Sequence, residues 1–255
     1  MWLNTSPMQF RTIDGLSIRY AESEERDDHA LLLGPWPESL LAFDPTWARL
    51  AERAHLVAVD LPGFGHSQRR DGLLSPRAMG EFVIRIADAF GLENPHVVGP
   101  DIGTWASLFA AALHPGRLRS LVVGSGGTAV PLHRAADPRQ IVAGALAHIE
   151  SYALPDAVRD DYLSSYDGDR FVESMRYVRS YPTELPALQD LLSEVETPVQ
   201  IIAGTRDTAV PPVNAEFLHE RLPNSKLDRI DVGHFTWEDG ADEYADIVTS
   251  WWAAW

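Results

Sequence analysis

The sequence predicts an α/β protein: a mostly parallel sheet with helices on both faces, interrupted late in the chain by a helical insertion. Three observations carry this prediction. Short apolar, β-rich runs alternate with helical patterns. One tight turn, Gly99-Pro100-Asp101-Ile102-Gly103, joins a β-rich run directly to a helical one. Over residues 126–197 the strand pattern disappears while periodic apolar content persists, which a linker would lack.

The elements follow in order. Residues 9–12 and 16–21 read as an opening hairpin, and 30–33 as a short buried strand. Residues 47–53 are helical, and 56–60 form a strand running into Leu61-Pro62-Gly63-Phe64-Gly65-His66-Ser67. A helix is expected over 76–90, with Ser75 as N-cap and Pro76 at its first position. The strand at 96–98 leads to the Asp101 turn and the helical run Trp105-Ala106-Ser107-Leu108-Phe109-Ala110-Ala111-Ala112-Leu113. Strands follow at 118–124 and 198–203, a helix at 213–222, the last strand at 226–231 and the last helix at 242–252. The chain therefore divides into a core of residues 1–125 and 198–255 and a helical insertion of residues 126–197, the latter polar and rich in tyrosine. The aromatic terminus Trp251-Trp252-Ala253-Ala254-Trp255 is read first as packing of the last helix on the core, with a homodimer contact as the second reading.

Composition narrows the function classes. A chain of 255 residues, 45% hydrophobic, suits one large α/β domain. No apolar run approaches the roughly 20 residues of a membrane span. The N-terminus has neither the basic nor the apolar region of a signal peptide, so a cytoplasmic location is expected. Without cysteine there are no disulfides, thiolate nucleophiles or cysteine metal sites. A net charge of −16 would be repelled by nucleic acid and by anionic membranes. The expected partner is a small apolar or moderately polar organic substrate, with no metal and no cofactor.

The Asp101 turn is the sharpest chemical signal. A G-x-nucleophile-x-G pattern between strand and helix needs small residues because the turn is tight and strained. A serine there requires a base to remove its proton. An aspartate, with an ordinary pKa of about 3.9, is already ionised and can attack carbon directly to form an alkyl ester. Two further strand ends complete a triad order: Gly204-Thr205-Arg206-Asp207 and Asp231-Val232-Gly233-His234-Phe235. Nucleophile, acid and histidine then all fall where open α/β sheets place their sites.

With these residues in view, the chain resembles the α/β-hydrolase superfamily over essentially its whole length. Leu31-Leu32-Leu33-Gly34-Pro35-Trp36-Pro37-Glu38-Ser39 is similar to the family's L-L-L-H-G-x-P-x-S loop, and Asp60-Leu61-Pro62-Gly63-Phe64-Gly65-His66-Ser67 to its D-x-P-G-x-G-x-S segment. The aspartate narrows the resemblance to epoxide hydrolases and haloalkane or haloacid dehalogenases. The segment Arg179-Ser180-Tyr181-Pro182-Thr183-Glu184-Leu185-Pro186 resembles the F-P-x-x-x-P of dehalogenase caps, and Gly233-His234-Phe235-Thr236-Trp237-Glu238-Asp239 their G-H-F-x-x-E-D.

The resemblance implies an α/β-hydrolase fold with residues 126–197 as a cap. It implies Asp101 as nucleophile, His234 oriented by Asp207 as base, and the backbone N–H groups of Trp36 and Ile102 as oxyanion donors. Two departures stand out. Gly34-Pro35 replaces the usual His-Gly. Ile102 replaces the tryptophan that holds the halide in haloalkane dehalogenases and the arginine of fluoroacetate-type enzymes. Epoxide hydrolysis is therefore ranked first, with cap tyrosines Tyr152 and Tyr177, and then Tyr181, expected to activate the leaving oxygen. Dehalogenation comes second. A lyase or isomerase acting on a secondary metabolite with Asp101 as general base comes third, and a ligand-binding relative without turnover fourth.

Overall fold

A computed structural model describes residues 8–127 and 138–255, with side chains from 140 onward in the second stretch. The expectations for the N-terminal segment 1–7 and for insertion residues 128–137 lie outside the described residues.

The first half of the chain runs β1 (Gln9–Ile13), β2 (Leu16–Glu22), β3 (His29–Leu33), α1 (Asp44–Ala51), β4 (His55–Val59), α2 (Pro76–Ala89), β5 (His96–Pro100), α3 (Ile102–Leu113) and β6 (Ser120–Gly124). Helices α4 (Pro138–Leu146), α5 (Asp156–Ser164), α6 (Arg170–Arg179) and α7 (Tyr181–Gln189) follow. The chain then returns to the sheet through β7 (Val199–Gly204), α8 (Val213–Arg221), β8 (Ser225–Ile230), the single turn α9 (Thr236–Asp239) and α10 (Ala241–Trp252). The eight strands form one sheet in the order β1-β2-β4-β3-β5-β6-β7-β8. The two ladders at the β1 edge are antiparallel and all others parallel.

Strand periodicity builds two cores, one on each face. Leu31, Val57, Val97, Leu121 and Ile201 point to one side and pack with Phe82, Val83 and Phe109 of α2 and α3. Ala30, Leu56, Val98, Val122 and Ile202 point to the other side and pack with Trp47 of α1 and Tyr244 and Val248 of α10. Strands β3 to β7 are thus buried on both faces, apart from the partly covered His29 at the start of β3, which is why they read as near-continuous apolar runs.

The local signals act as expected at α2, where the Ser75 Oγ accepts from the Ala78 N–H at 3.4 Å and Pro76 opens the helix. Helix α1 starts at Asp44, three residues ahead of the expected start at 47, with Pro45 in its first turn. The turn α9 has no counterpart in the sequence reading, because four residues are too short to show a period. Trp252 is buried in the core and stacks on His96 at 5.4 Å. Among the described residues no helix is long and apolar enough to cross a membrane.

Candidate active site

The site forms at the C-terminal ends of β3, β5, β7 and β8. At the end of β5 the chain turns through Asp101 with φ 50° and ψ −118°, and α3 begins at the next residue. This is a sparsely populated region for a side chain, costing about 1–3 kcal/mol, and it lifts the carboxylate out of the turn. Two features enforce the turn. A Cβ on Gly99 would lie 2.3 Å from the Ser107 Oγ and 2.7 Å from the Gly103 carbonyl oxygen. The Asp101 N–H donates to the Gly124 carbonyl at 2.8 Å, tying the turn to the end of β6.

The loop after β3 supplies the facing wall. The Trp36 N–H donates to the Asp101 Oδ2 at 3.0 Å, and the Ile102 N–H also bonds the carboxylate. Gly34-Pro35 therefore leaves this donor in place. A Cβ at position 34 would meet the Leu40 backbone nitrogen at 2.8 Å, so this packing has no room for a histidine there. The loop is held from below by Asp60, whose Oδ1 accepts from the Leu40 N–H at 2.7 Å and whose Oδ2 accepts from the His66 N–H at 2.8 Å. That is the physical role of the Asp60-x-Pro-Gly segment. Arg19 joins the same cluster to the insertion, with Asp161 of α5 accepting at 3.1 and 2.5 Å.

The remaining two members of the triad order are in place. His234 Nδ1 lies 2.8 Å from the Asp207 Oδ2, while the Asp207 Oδ1 accepts from the Ala209 and Val210 N–H groups at 2.9 and 2.7 Å. Asp207 is thereby fixed and in turn fixes the imidazole, leaving Nε2 to face the cavity. Nε2 lies 3.8 Å from the Asp101 Oδ1, beyond a direct hydrogen bond. Burial pushes the Asp101 carboxyl up to about 6, against the charge of His234 and the two N–H donors that favour the anion. At His234 burial opposes the imidazolium most strongly. The bond to Asp207 and the negative charges of Asp101 and Asp207 outweigh it, and its pKa is raised.

These groups open onto a cavity of about 350 Å³, walled by Trp36, Ile102, Val178, Tyr181 and Phe235. Its exposed side carries the ion pair of Arg206 and Glu150, at 2.6 Å. The three tyrosines singled out from the sequence part company here. Tyr181 lines the cavity. Tyr177 is buried beneath it and its hydroxyl donates to the Ile102 carbonyl at 2.9 Å, so it braces the turn and has no free proton for a substrate. Tyr152 lies in a different depression beside Asp239, its hydroxyl 3.5 Å from Asp44. The first-ranked pair is therefore corrected in favour of Tyr181. Spacing along the insertion could not separate them, because helix packing decides which ring faces inward.

The structure also brings in residues the sequence reading passed over. The Trp36 indole N–H donates to the Ser174 Oγ of α6 at 3.1 Å. Ser125, at φ 52°, donates its hydroxyl to the His234 carbonyl at 3.1 Å. Glu238, in the Gly233–Asp239 segment, is buried near Glu38 and away from His234's partner Asp207. Glutamate in the otherwise apolar stretch after Pro37 was the available signal for this second partner.

Comparison with known proteins agrees with this fold. The sequence profile of the alpha/beta hydrolase fold family matches residues 31–161, just over half the chain. The chain belongs to the alpha/beta hydrolase fold family. It is 31% identical to a putative carbamate hydrolase, RutD, of Caulobacter sp. (strain K31), over 87% of this chain and 89% of that protein. A 2-hydroxymuconate semialdehyde hydrolase of Pseudomonas putida is 27% identical, over 78% of this chain and 77% of its own. Among solved structures, Cfl2 of Burkholderia cenocepacia superposes with a TM-score of 0.81 at 21% identity, covering 96% and 95% of the two chains. A meta-cleavage product hydrolase, CumD, superposes with a TM-score of 0.80 at 20% identity, covering 97% and 98%. This α/β hydrolase is accordingly an enzyme of the hydrolase class.

Proposed function

We propose that this hydrolase works through Asp101 as a covalent nucleophile on an electrophilic sp³ carbon, with an epoxide as the substrate class, and that residues 126–197 act as a cap over the core of 1–125 and 198–255. The observation that carries the reading is the division of labour between the two Asp101 oxygens. Oδ2 sits on the Trp36 N–H, and Oδ1 is left facing His234 and the cavity. In the first step Oδ1 attacks a ring carbon and the ring C–O bond breaks. The alkoxide that leaves is met by the Tyr181 hydroxyl, whose pKa is raised by burial and which stays protonated near neutral pH. In the second step His234 takes a proton from water, and the hydroxide adds to the ester carbonyl carbon. Charge then collects on Oδ2, already seated on its donors, and collapse breaks the ester C–O bond. The departing oxygen takes the proton held by His234, the second water proton passes from the Asp101 carboxyl to the ring oxygen, and the diol and the Asp101 carboxylate remain. Each donor is worth about 2.7–4 kcal/mol of barrier in comparable sites.

Dehalogenation is less well supported, since the Trp36 indole is bonded to Ser174 and Ile102 has no side-chain donor. The carbamate named for the relative is a poorer fit too, because a carboxylate attacking an acyl carbon would give a mixed anhydride. One observation favours a second reading. A carboxylate at about 6 is matched to general-base work, as a lyase or isomerase would need. The two are separated by trapping. His234→Gln should stop the second step, so that intact-protein mass spectrometry finds a substrate-sized adduct on the Asp101 peptide. If a substrate that the unmodified enzyme turns over leaves no adduct on this variant, the general-base reading stands instead.

A further inference from the structure

The molecule buries two carboxyl side chains that the proposed reaction does not use. Glu38 lies two residues after the Trp36 donor, and Glu238 four residues after His234. Both are buried. One oxygen of each is conventionally satisfied. The Trp237 indole N–H donates to the Glu38 Oε1 at 3.0 Å, and the Tyr162 hydroxyl to the Glu238 Oε1 at 3.1 Å. The Oε2 of each is buried and finds no N–H or hydroxyl donor. The two carboxyl groups are close enough to shift one another's ionisation. Two bare carboxylates in contact inside a protein would repel and be unsolvated, and a single proton between them resolves both problems.

We propose that Glu38 and Glu238 share one proton, and that this acid pair is a clasp that positions the Trp36 oxyanion donor against the His234 turn. The surrounding contacts fit that role. The Trp237 ring, anchored by Glu38, packs edge-on to His234 at 5.9 Å. Tyr166, from the insertion, donates to the Glu38 carbonyl at 3.2 Å. The clasp thus joins the donor loop, α9 and two insertion tyrosines in one hydrogen-bonded unit.

The groups facing the pair agree on its protonation. Burial pushes Glu38 well up, and the negative charges of Glu238 and Asp101 push further, against the Trp237 bond. Burial also raises Glu238, with Asp239 adding to it, while the bonds from Glu38 and Tyr162 favour its anion. Both carboxyl groups are thus pushed toward the neutral form, and the pair retains a proton between them. Because the neutral form is the favoured one, the clasp is closed at neutral pH and opens as pH rises and that proton leaves. Glu38 and Glu238 are positioning residues and touch no substrate.

Glu38→Gln keeps a neutral donor opposite Glu238 and cannot be deprotonated. Infrared spectra in mildly alkaline buffer, where Asp101 and ordinary carboxyl groups are ionised, should show a neutral carboxylic-acid carbonyl band in the unmodified enzyme. Above a pH of about 8 that band should be lost in Glu38→Gln, where no second carboxyl remains to share the proton and Glu238 ionises. In urea unfolding the unmodified enzyme should lose stability on the alkaline side, and Glu38→Gln should not. The kinetic arm rests on the Asp101 reading. Glu38→Ala should lower kcat about a hundredfold with little change in KM, as a misplaced donor would. Glu38→Gln should restore most of kcat and remove the alkaline fall in rate. If the unmodified enzyme shows no such band, or Glu38→Gln keeps it, the clasp is overturned whatever the substrate. If the band behaves as expected but no epoxide is opened, the clasp stands and the Asp101 reading fails.

Discussion

Replacing Asp101 by asparagine should make the protein more stable while removing its activity. Asp101 is buried, and its carboxyl is raised from an ordinary 3.8 to about 6. That rise of about two pKa units, at about 1.4 kcal/mol each, means the folded state holds the anion at a cost of about 3 kcal/mol. The sign follows from proton counting. Between 3.8 and about 6 the native protein binds more protons than the unfolded chain, so stability from this group falls as pH rises through that window. Above about 6 the whole cost is present, and below 3.8 none of it. An asparagine side chain in its place carries no charge to desolvate, and its amide oxygen can still accept from the Trp36 N–H.

Urea unfolding of both proteins at several pH values gives the test. In mildly alkaline buffer Asp101→Asn should be more stable by about 3 kcal/mol, with an unchanged m-value. The advantage should shrink steadily as pH drops through the window and vanish at its acid end. Ester formation in the unmodified enzyme should follow the same titration in the opposite sense, falling as pH drops through about 6, because only the anion attacks. A stability difference that is absent, or that does not change with pH, would refute the claim that desolvation of this carboxylate dominates its energetics.

Other expectations are simpler to check. Asp207→Asn should retain a burst of ester formation in pre-steady-state kinetics but slow the steady state, because it removes the group that orients His234. Tyr181→Phe should slow alkylation by an epoxide far more than by a haloalkane of similar size, while Tyr152→Phe, whose hydroxyl lies beside Asp44, should leave both rates unchanged. Tyr177→Phe should cost about 0.5–1.5 kcal/mol in denaturant unfolding by removing one buried hydrogen bond to the Ile102 carbonyl. Gly99→Ala should destabilise the enzyme and lower kcat together, since its Cβ would displace Ser107 and the Gly103 carbonyl that shape the turn.

What could be read from the sequence, and what could not, divides by the range of the physics involved. The sheet was legible because β3 to β7 are covered on both faces and their burial shows as apolar runs with turn residues at the ends. The Asp101 turn was legible because a backbone at φ 50° with Gly99 packed on Ser107 tolerates few residues, so a local pattern carries the constraint. The bond from Asp207 to His234 crosses 27 residues, yet both lie at ends of adjacent parallel strands, β7 and β8, so strand order alone brings them together. The insertion offers no such register. Its helices meet the core through side chains whose facing depends on packing angle, so Tyr152, Tyr177 and Tyr181 look alike in sequence although only Tyr181 reaches the cavity. The Glu38 and Glu238 pair escaped for a related reason. Each carboxylate in isolation reads as a surface residue, and only their mutual burial, 200 residues apart, turns two ordinary acids into one acid and its conjugate base.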